Sequence, residues 1–482
     1  MLIDIIGGSY KNRYLAVNPS RTINWLPVTD LSGNEKNKYK MELFATPGLA
    51  SFSDTTKTNL RAIFTARTLV EERCFVVADN FLYEISSAGT ATSRGQMTNI
   101  TNDATPCWMA VNGNRELIVV HGSASYILAL GTNTLTQITD VDYPSTPTSL
   151  TYMDGYFIIC AGGRIYYSNL NDGFSWTGSD VLTPTSKADN TLAAICWRDD
   201  IVAFGSETIE TYINDGTPFI KAPRSTANIG LVDTNTLVAF HNGIVFLGKA
   251  RGGEAAVYVY DGQQVLQISP FSVTWQINNL TPPISSSTGF VEYTKDGHWL
   301  YYLTIPALST TYVYDFLTSE WHERQSYNPN TTNQAQFRGK YHTNFSGMNL
   351  FADIYTGKVL KEDYTIATEN SNAITRTRIS QVFAQEQKYL SIYSVQIDAN
   401  TGTGLIATPS TAPNLAFSYS KDGGNTFGTA TNLGLGASGS YNVRAKFNKL
   451  GTARNWAIKL VVTDAADVMI QQAIVNGVLG VF

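Results

Sequence analysis

Residues 191–214 read TLAAICWRDDIVAFGSETIETYIN, a stretch that predicts three short strands in succession. The first two, Leu192–Trp197 and Ile201–Phe204, are mostly apolar and are separated by a polar turn. A second turn at Gly205 and Ser206 precedes the third strand. Short apolar strands joined by tight turns are typical of an antiparallel meander.

The same pattern recurs along most of the chain. Asp-Gly and Asn-Gly turns, which supply the positive φ angles that hairpins need, recur before the second strand of the unit. The second strands are predicted to begin near Phe75, Leu117, Phe157, Ile201, Ile244, Trp299 and Leu350. Successive starts lie 40 to 55 residues apart, and such a repeat is typical of β-propeller blades. We therefore expect an all-β fold, with a propeller of six or seven blades over residues 56–365.

Three longer insertions interrupt the repeats, at residues 215–233, 269–289 and 325–334. They are rich in Pro, Ser and Asn, so we expect loops that project from one face of the propeller. No helical pattern of more than a few turns is predicted in the sequence.

The two ends of the chain lack the blade period. Residues 1–55 contain prolines at a density that favours extended segments and turns. Residues 366–482 contain strand patterns separated by Gly-, Thr- and Ser-rich linkers, and predict a β-sandwich-like platform domain. The N-terminal segment has too little apolar surface for its own core, and chain termini often lie close together. We therefore expect it to pack on the platform domain.

Composition limits the classes of function. The chain has 482 residues, which indicates several domains or a repeat array. Charged residues make up 15% of the chain, and the formal net charge is -5. This balance argues against an exposed nucleic-acid-binding face, which needs a basic surface. It is compatible with a smooth channel through which nucleic acid passes.

Four cysteines, Cys74, Cys107, Cys160 and Cys196, lie in or beside apolar strands without tight spacing. They are therefore interpreted as buried thiols rather than disulfides. The N-terminus lacks the basic and apolar regions of a secretory signal, and no apolar run reaches the roughly 18 residues of a membrane helix. These features predict a protein made in a reducing cytoplasm, with no membrane span.

Residues 420–427, SKDGGNTF, match the Asp-box pattern S-x-D-x-G-x-T with a terminal aromatic. This pattern forms a hairpin turn in which the Asp side chain accepts backbone hydrogen bonds. Asp boxes are common in sialidase propellers, where they lie away from the active site. Because this box is single and lies outside the repeats, we interpret it as structural.

No set of residues predicts an active site. A propeller glycosidase needs two facing carboxylates, but the aspartates of the repeats lie in or beside turns, where their side chains bond the backbone. These aspartates are Asp154, Asp199, Asp200, Asp261, Asp296 and Asp315. The five histidines are scattered, apart from His298 and His322 in one unit, and no metal-binding motif is present. We predict no catalytic residue, no cofactor and no metal site.

Three stretches, taken in order, resemble a known family of phage proteins. They are Asn18 with Ile23–Val28 and Thr46–Gly48, then Ala194–Asp199 with Phe204–Tyr212, and then Val313–Asp315 with Glu320 and Trp321. The sequence resembles the tail accessory factors of short-tailed phages of the Salmonella-phage type, also called packaged-DNA stabilisation proteins or tail nozzles. The order and length match along most of the chain, and the C-terminal domain matches least well.

The resemblance implies a virion tail protein rather than an enzyme. Family members assemble as six copies around the tail axis, below the portal and its dodecameric adaptor. Their ring continues the channel for double-stranded DNA, helps to retain the packaged genome, meets a plug or needle and lies near tailspikes or fibres. Two other classes stay open: a carbohydrate-active or carbohydrate-binding propeller, and a monomeric binding module.

Assembly contacts are expected at aromatic side chains outside the blade pattern. Trp25 and Pro27 lie in a region with no blade of its own, and together with the resemblance they suggest a ring through the terminal domain. Trp275 lies in an inserted segment, where contact with a partner and inward packing are about equally compatible with the sequence. Aromatic anchors at an interface core can each contribute about 2 kcal/mol or more. These three residues are the candidate assembly contacts.

Overall fold

The computed structural model describes residues 2–3, 5–29, 41–184, 189–216, 219–222, 226–281, 284, 286–384 and 388–480. Among these residues the fold is all-β, with one short α-helix at Phe271–Asn278 and a 3-10 turn at Thr234–Thr236. Seven sheets form a propeller, and most of the remaining strands form a sandwich, here called the platform. The predicted fold class is confirmed.

The first four blades follow one another along the chain. Blade 1 consists of Leu60–Arg67, Glu72–Ala78, Phe81–Ile85 and Ala91–Gln96. Blade 2 consists of Trp108–Val111, Glu116–Val120, Ser125–Ala129 and Thr134–Gln137. Blade 3 consists of Pro147–Met153, Tyr156–Ala161, Arg164–Asn169 and Asp172–Leu182. Blade 4 consists of Thr191–Trp197, Asp200–Gly205, Ile209–Ile213 and Ile220–Lys221.

The last three blades depart from this regular form. Blade 5 consists of Gly230–Leu231, Val238–Phe240, Gly243–Lys249, Ala255–Tyr260 and Val265–Gln267. Blade 6 consists of Thr288–Tyr293, Trp299–Thr304, Thr311–Asp315 and Glu320–Asn328, extended by Asn333–Gln336. Blade 7 consists of Gly339–Phe345, Met348–Asp353, Lys358–Asp363 and, from the N-terminal segment, Gly48–Asp54.

The stretch at residues 191–214 forms the first three strands of blade 4, as predicted. Arg198 and Asp199 make the first turn with φ angles of 51° and 62°, the conformation that tight hairpins need. The second strand is apolar throughout because both of its faces are buried. Ile201 packs toward blade 3 and Phe204 toward blade 5. All seven second strands begin within three residues of their predicted positions.

Packing between neighbouring blades explains this double burial. Separate apolar clusters fill the spaces between successive blades, including one between blade 7 and blade 1. The innermost strand of blade 7, Gly339–Phe345, contacts that of blade 1, Leu60–Arg67. The ring is therefore closed with seven blades, within the predicted six or seven.

The strand Gly48–Asp54 lies inside the segment that was expected to belong to the platform. It pairs antiparallel with Lys358–Asp363 and completes blade 7. Two short strands from the other end of the chain, Thr368–Glu369 and Asn372–Ala373, extend the same sheet. The sheets therefore depart from the expected ranges 1–55, 56–365 and 366–482 at these three strands. Sequence periodicity does not reveal the pairing that completes blade 7, because its two strands lie about 300 residues apart in sequence.

Two sheets face each other in the platform. The first contains Trp25–Thr29, Met41–Ala45, Met469–Leu479, Leu390–Ala399 and Ala445–Ala453, with Leu2–Ile3 paired to Met469–Leu479. The second contains Arg376–Ile379, Ala457–Val462, Asn414–Ser420 and Thr431–Gly434. Side chains of both sheets share one core, in which the rings of Phe417 and Phe447 stack 4.2 Å apart. Three strands of the N-terminal segment, Leu2–Ile3, Trp25–Thr29 and Met41–Ala45, are thus part of the platform.

One short strand, Arg21–Ile23, joins the two domains and is called the bridging strand below. It pairs in parallel with the outer strand of blade 6, at Ile23 and Glu323, and antiparallel with Arg376–Ile379 of the platform. The sheet of blade 6 therefore runs without interruption into the second sheet of the platform.

The insertions are more regular than the loops expected from the sequence. Residues 269–289 contain the helix Phe271–Asn278, whose Val273 and Ile277 pack on blades 5 and 6. Residues 325–334 lie in a hairpin in which the end of Glu320–Asn328 pairs with Asn333–Gln336 and extends blade 6. Residues 215–233 supply short strands to blades 4 and 5, while residues 217–218 and 223–225 lie outside the described residues. Parts of these segments pair with strands or pack in the core, which their Pro-, Ser- and Asn-rich composition does not indicate.

Candidate functional site

The motif Ile23-Asn24-Trp25-Leu26 forms the joint between propeller and platform. Asn24 has a φ of 58°, and its side-chain amide donates to the carbonyls of Gln325 in blade 6 (2.8 Å) and Thr375 beside the platform (2.9 Å). The backbone N–H of Gln325 donates back to the Asn24 Oδ1 at 3.0 Å. The next two side chains then enter different cores: Trp25 that of the platform and Leu26 that between blades 6 and 7.

Two of the three candidate assembly contacts are therefore inside the chain. The Trp25 side chain is 0% exposed, and Pro27 is buried on the same strand. Neither can contact a second copy in this conformation, because their own chain already covers them. Trp25 and Pro27 are therefore packing residues inside the chain, and the prediction that they form assembly contacts is corrected. That prediction arose because no blade pattern surrounds them in the sequence.

Trp275 remains accessible, on the helix Phe271–Asn278. Its side chain is half-buried, and Phe271, four residues earlier on the same helical face, is 63% exposed. The helix also reaches the N-terminal segment, because the Gln276 Nε2 donates to the Lys11 carbonyl at 3.4 Å. An assembly contact at Trp275 stays a prediction.

Charged side chains reinforce the joint. The Arg21 guanidinium donates from Nε and Nη2 to the Glu323 carboxylate at 3.0 and 2.5 Å. Burial acts to raise the pKa of Glu323, but Arg21, together with hydrogen bonds from Thr310 and Ser9, holds that pKa below its ordinary value. On the platform side, Arg378 donates to the Thr22 Oγ1 at 2.6 Å and to the Gly8 carbonyl at 3.0 Å. The bridging strand is thus held by ionic and polar contacts on both sides.

A second group of buried charges lies between blade 7 and the platform. The Arg338 Nη2 pairs with the Asp353 Oδ2 at 2.6 Å, and the Arg324 Nη2 lies 3.6 Å from the Glu369 Oε1. Arg376 is fully buried in the same region. Sequence analysis missed these arginines, although the alternation Thr375-Arg376-Thr377-Arg378 at the change of domain was a visible signal.

Two glutamates come together that the sequence did not single out. The Asn349 Nδ2 donates to both the Glu292 Oε1 and the Glu362 Oε2, at 3.1 Å each. Burial raises the pKa of both carboxyls, and for Glu292 the neighbouring Glu362 adds to the effect. Glycosidases hold their two carboxyl groups about 5 Å or more apart, with the sugar between them. Glu292 is buried and Glu362 half-buried, and two carboxyls within reach of each other and of one amide leave no such room.

The histidine pair also lacks the geometry of a catalytic group. The His298 Nδ1 lies 2.7 Å from the Asp315 Oδ2, and the Thr318 hydroxyl donates to that carboxylate rather than to the imidazole. His322 is fully buried, with no hydrogen-bond partner on either ring nitrogen among the described residues, and burial lowers its pKa to about 3. No nucleophile faces either ring among these contacts.

The remaining sequence candidates are structural where the contacts are described. In the Asp box, the Asp422 carboxylate accepts from the Ser420 hydroxyl at 2.6 Å, and from the Thr426 Oγ1 at 2.6 Å and N–H at 3.0 Å. These bonds lower its pKa to about 2. The Asp261 carboxylate accepts two backbone N–H groups at 2.8 Å. The turn aspartates lie on blades 3 to 6 and are not brought together as one group.

Three of the four cysteines are fully buried, and Cys196 is half-buried. Burial raises the pKa of the Cys74 and Cys160 thiols to about 12. Within the described ranges, no three His, Cys, Asp or Glu side chains gather as a metal site requires. None of the helices there has the length and apolar character needed to cross a membrane.

Comparison with solved structures gives low similarity. The extracellular domain of a hybrid two-component system from B. thetaiotaomicron aligns at 9% identity and a TM-score of 0.45, over 77% of this chain and 43% of that chain. The chain thus spans less than half of that structure. The Neurospora crassa Pan2 WD40 domain aligns at 12% identity and a TM-score of 0.40, over 66% of this chain and 94% of that chain. No curated protein matches the sequence.

Family models match both parts of the chain in the order that the structure shows. Residues 1–367 match the model described as "Bacteriophage P22 Gp10, beta-propeller", and residues 375–477 match "Bacteriophage P22 Gp10, beta-sandwich". The first match includes the N-terminal joint and all seven blades, and the second covers most of the platform. The chain therefore belongs to the family of bacteriophage P22 Gp10 and is a structural protein of the phage tail.

Proposed function

We propose that six copies of this chain form the nozzle of a short phage tail, below the portal and its adaptor. The ring would extend the channel for double-stranded DNA, help to retain the packaged genome, and connect to a tail plug or needle and to spikes or fibres. The match of both family models, in order and over nearly the whole chain, is the observation that carries this proposal.

The net charge of the chain supports a channel that does not bind DNA tightly. The net charge of -5 provides no excess of cations to neutralise phosphates, and phosphate neutralisation supplies most non-specific affinity for DNA. DNA would pass through without sequence-specific binding. The four cysteines occur as free thiols, which agrees with synthesis in the host cytoplasm.

The exposed face of the platform's first sheet suits the ring contact better than Trp25 or Pro27. Tyr393 is 56% exposed and Val478 55% exposed, on two strands that pair with each other, and Ile474 on the same strand as Val478 is 36% exposed. Apolar side chains grouped on one exposed face often mark an interface. The partner would be a second copy of the chain, since a ring requires contacts between identical subunits.

The test uses particles that carry portal and adaptor but lack this protein. The wild-type protein should add as one six-fold ring, seen by electron microscopy. Tyr393→Glu and Val478→Glu should keep the wild-type melting curve and fail to form the ring, whereas Val141→Glu, at a 94% exposed position beyond blade 2, should behave as wild type. Wild-type protein that does not bind these particles would refute the nozzle. Rings formed by both platform variants would refute this contact alone.

We further propose that the protein carries no enzymatic activity. A carbohydrate-active propeller would require a matched pair of accessible carboxylates, whereas Glu292 and Glu362 are too close together and Glu292 is buried. A monomeric binding module is the other alternative, and the ring experiment separates it from the nozzle.

A further inference from the structure

A pocket of about 370 Å³ lies where the propeller meets the platform; we call it the junction pocket. Leu26 and Ile366 line it beside the propeller, and Ile406 and Val468 line it from the platform. Its volume falls within the range of small-molecule sites, roughly 300 to 1,000 Å³. Because both domains form its wall, an occupant would contact both.

Arg376 gives the junction pocket one buried positive charge. The residue lines the pocket and its side chain is 0% exposed. Its Nη2 donates to the Thr46 carbonyl at 3.3 Å, while Nε and Nη1 have no hydrogen-bond partner among the described residues. No carboxylate there lies within ion-pair distance of it, in contrast to Arg338, which pairs with Asp353. Burial is the largest cause that lowers the pKa of Arg376, to about 10, and repulsion from the neighbouring Arg324 adds to it.

Carboxylates near Arg376 do not compensate this charge. Glu369 is buried but lies 3.6 Å from Arg324, its nearest cation. Asp467 attracts the Arg376 charge from the rim of the pocket, where its own side chain is exposed to water. A buried cation without a partner is costly, whereas a charge-assisted hydrogen bond to a carboxylate is among the stronger contacts available to it. The Arg376 guanidinium is therefore the group in this pocket that is best suited to pair with a carboxylate.

We propose that the junction pocket binds a small monocarboxylate, held through its carboxylate by Arg376, with a short branched apolar body among Leu26, Ile366 and Val468. The apolar lining selects a hydrocarbon body. The exposed Asp296 and Asp467 at the rim disfavour anions of higher charge, such as phosphate. This binding does not depend on the nozzle, and it would tie the two domains together.

The experiment is isothermal titration calorimetry on the full chain with 4-methylpentanoate, its neutral isostere 4-methylpentanamide, and inorganic phosphate. The carboxylate should bind saturably, and at least about tenfold more tightly than the amide or phosphate. The amide carries no charge to pair with Arg376, and the second charge of phosphate is repelled by Asp296 and Asp467 at the rim. Equal affinity for the carboxylate and the amide, tighter binding of phosphate, or no binding of the carboxylate up to about 10 mM would overturn the proposal.

Two variants locate the ligand. Arg376→Met should abolish binding of 4-methylpentanoate, and Asp467→Asn should tighten it by about two- to fivefold, since it removes a competing exposed carboxylate. Unchanged binding by Arg376→Met, or weaker binding by Asp467→Asn, would place the ligand elsewhere. Should Arg376→Met fail to fold, the exposed Asp467→Asn and the comparison of carboxylate with amide on the wild type still decide the matter.

Discussion

Three consecutive residues of the N-terminal motif, Asn24, Trp25 and Leu26, lie in three different environments. Asn24 adopts a positive φ and bonds both domains, Trp25 enters the platform core, and Leu26 enters the propeller core. Asparagine tolerates the left-handed conformation better than most residues, and its short amide both donates and accepts there. The turn at Asn24 is what directs the neighbouring side chains into separate cores.

Trp25→Ala should therefore destabilise the platform rather than remove an assembly contact. Loss of a fully buried Trp side chain costs about 3–5 kcal/mol, from lost burial and the cavity left behind. We expect the platform transition to move to lower urea concentration, followed by tryptophan fluorescence and circular dichroism. Trp275→Ala, at a half-buried position, is the matched control and should cost about 1 kcal/mol or less. An unchanged platform transition in Trp25→Ala, combined with lost ring formation, would return Trp25 to the interface.

His322 should make the propeller sensitive to mild acid. Burial depresses its pKa to about 3, so the unfolded chain takes up the proton first, below about pH 6.5. The stability it contributes is thus complete above pH 6.5 and is lost as the pH falls toward 3. Between pH 7 and pH 5 the loss should be about 2 kcal/mol. The charges that act on it are Asp315, Arg324, His298 and Glu323.

The measurement compares urea unfolding at pH 7 and pH 5 for the wild type, His322→Leu and His241→Leu. His322→Leu should lose less stability on acidification than the wild type, while the exposed His241 should make no difference. The raised pKa values of Glu292 and Glu362 act in the opposite sense, gaining stability as the pH falls. They are common to all three proteins, so the difference isolates His322. An identical pH dependence of wild type and His322→Leu would contradict the prediction.

At the scale of the element, two N-terminal strands have separate tasks. The bridging strand connects blade 6 to the platform, whereas Gly48–Asp54 supplies the closing strand of blade 7. Ring closure by a strand from the far end of the chain removes an exposed sheet edge and locks the first and last blades together. The N-terminal segment is therefore structural for both domains.

Truncation separates these tasks. Residues 48–482 keep the closing strand but lose the bridging strand and the three N-terminal strands of the platform, so the platform transition should fall while the propeller transition persists. Residues 55–482 also lose the closing strand, and the propeller should then unfold at lower temperature as well. Differential scanning calorimetry on both proteins and the full chain provides the comparison. Equal melting of 48–482 and the full chain would show that the joint contributes little.

At the scale of the whole molecule, the continuous sheet makes the propeller and the platform one mechanical unit. Backbone hydrogen bonds across the bridging strand, the Arg21–Glu323 pair and the shared core around Leu26 all cross the boundary. Domains joined by small polar interfaces commonly move relative to each other, but this boundary is paired strand to strand. Such a joint would suit the place that we propose for this chain, in a ring around the DNA channel of the tail.

Local signals in the sequence determined the blades, because the turns, the apolar alternation and the repeat length are all short-range properties, as residues 191–214 show. Tertiary structure decided what depends on distant partners. It gave blade 7 its closing strand from residues 48–54, turned residues 271–278 into a helix, and buried Trp25 and Pro27 in the platform. It also placed Arg376 beside the junction pocket with no ion-pair partner in the part of the chain that the structure describes, and brought Glu292 to Glu362. Burial and charge pairing are set by residues up to some 300 positions away, and a single sequence does not record which of them meet.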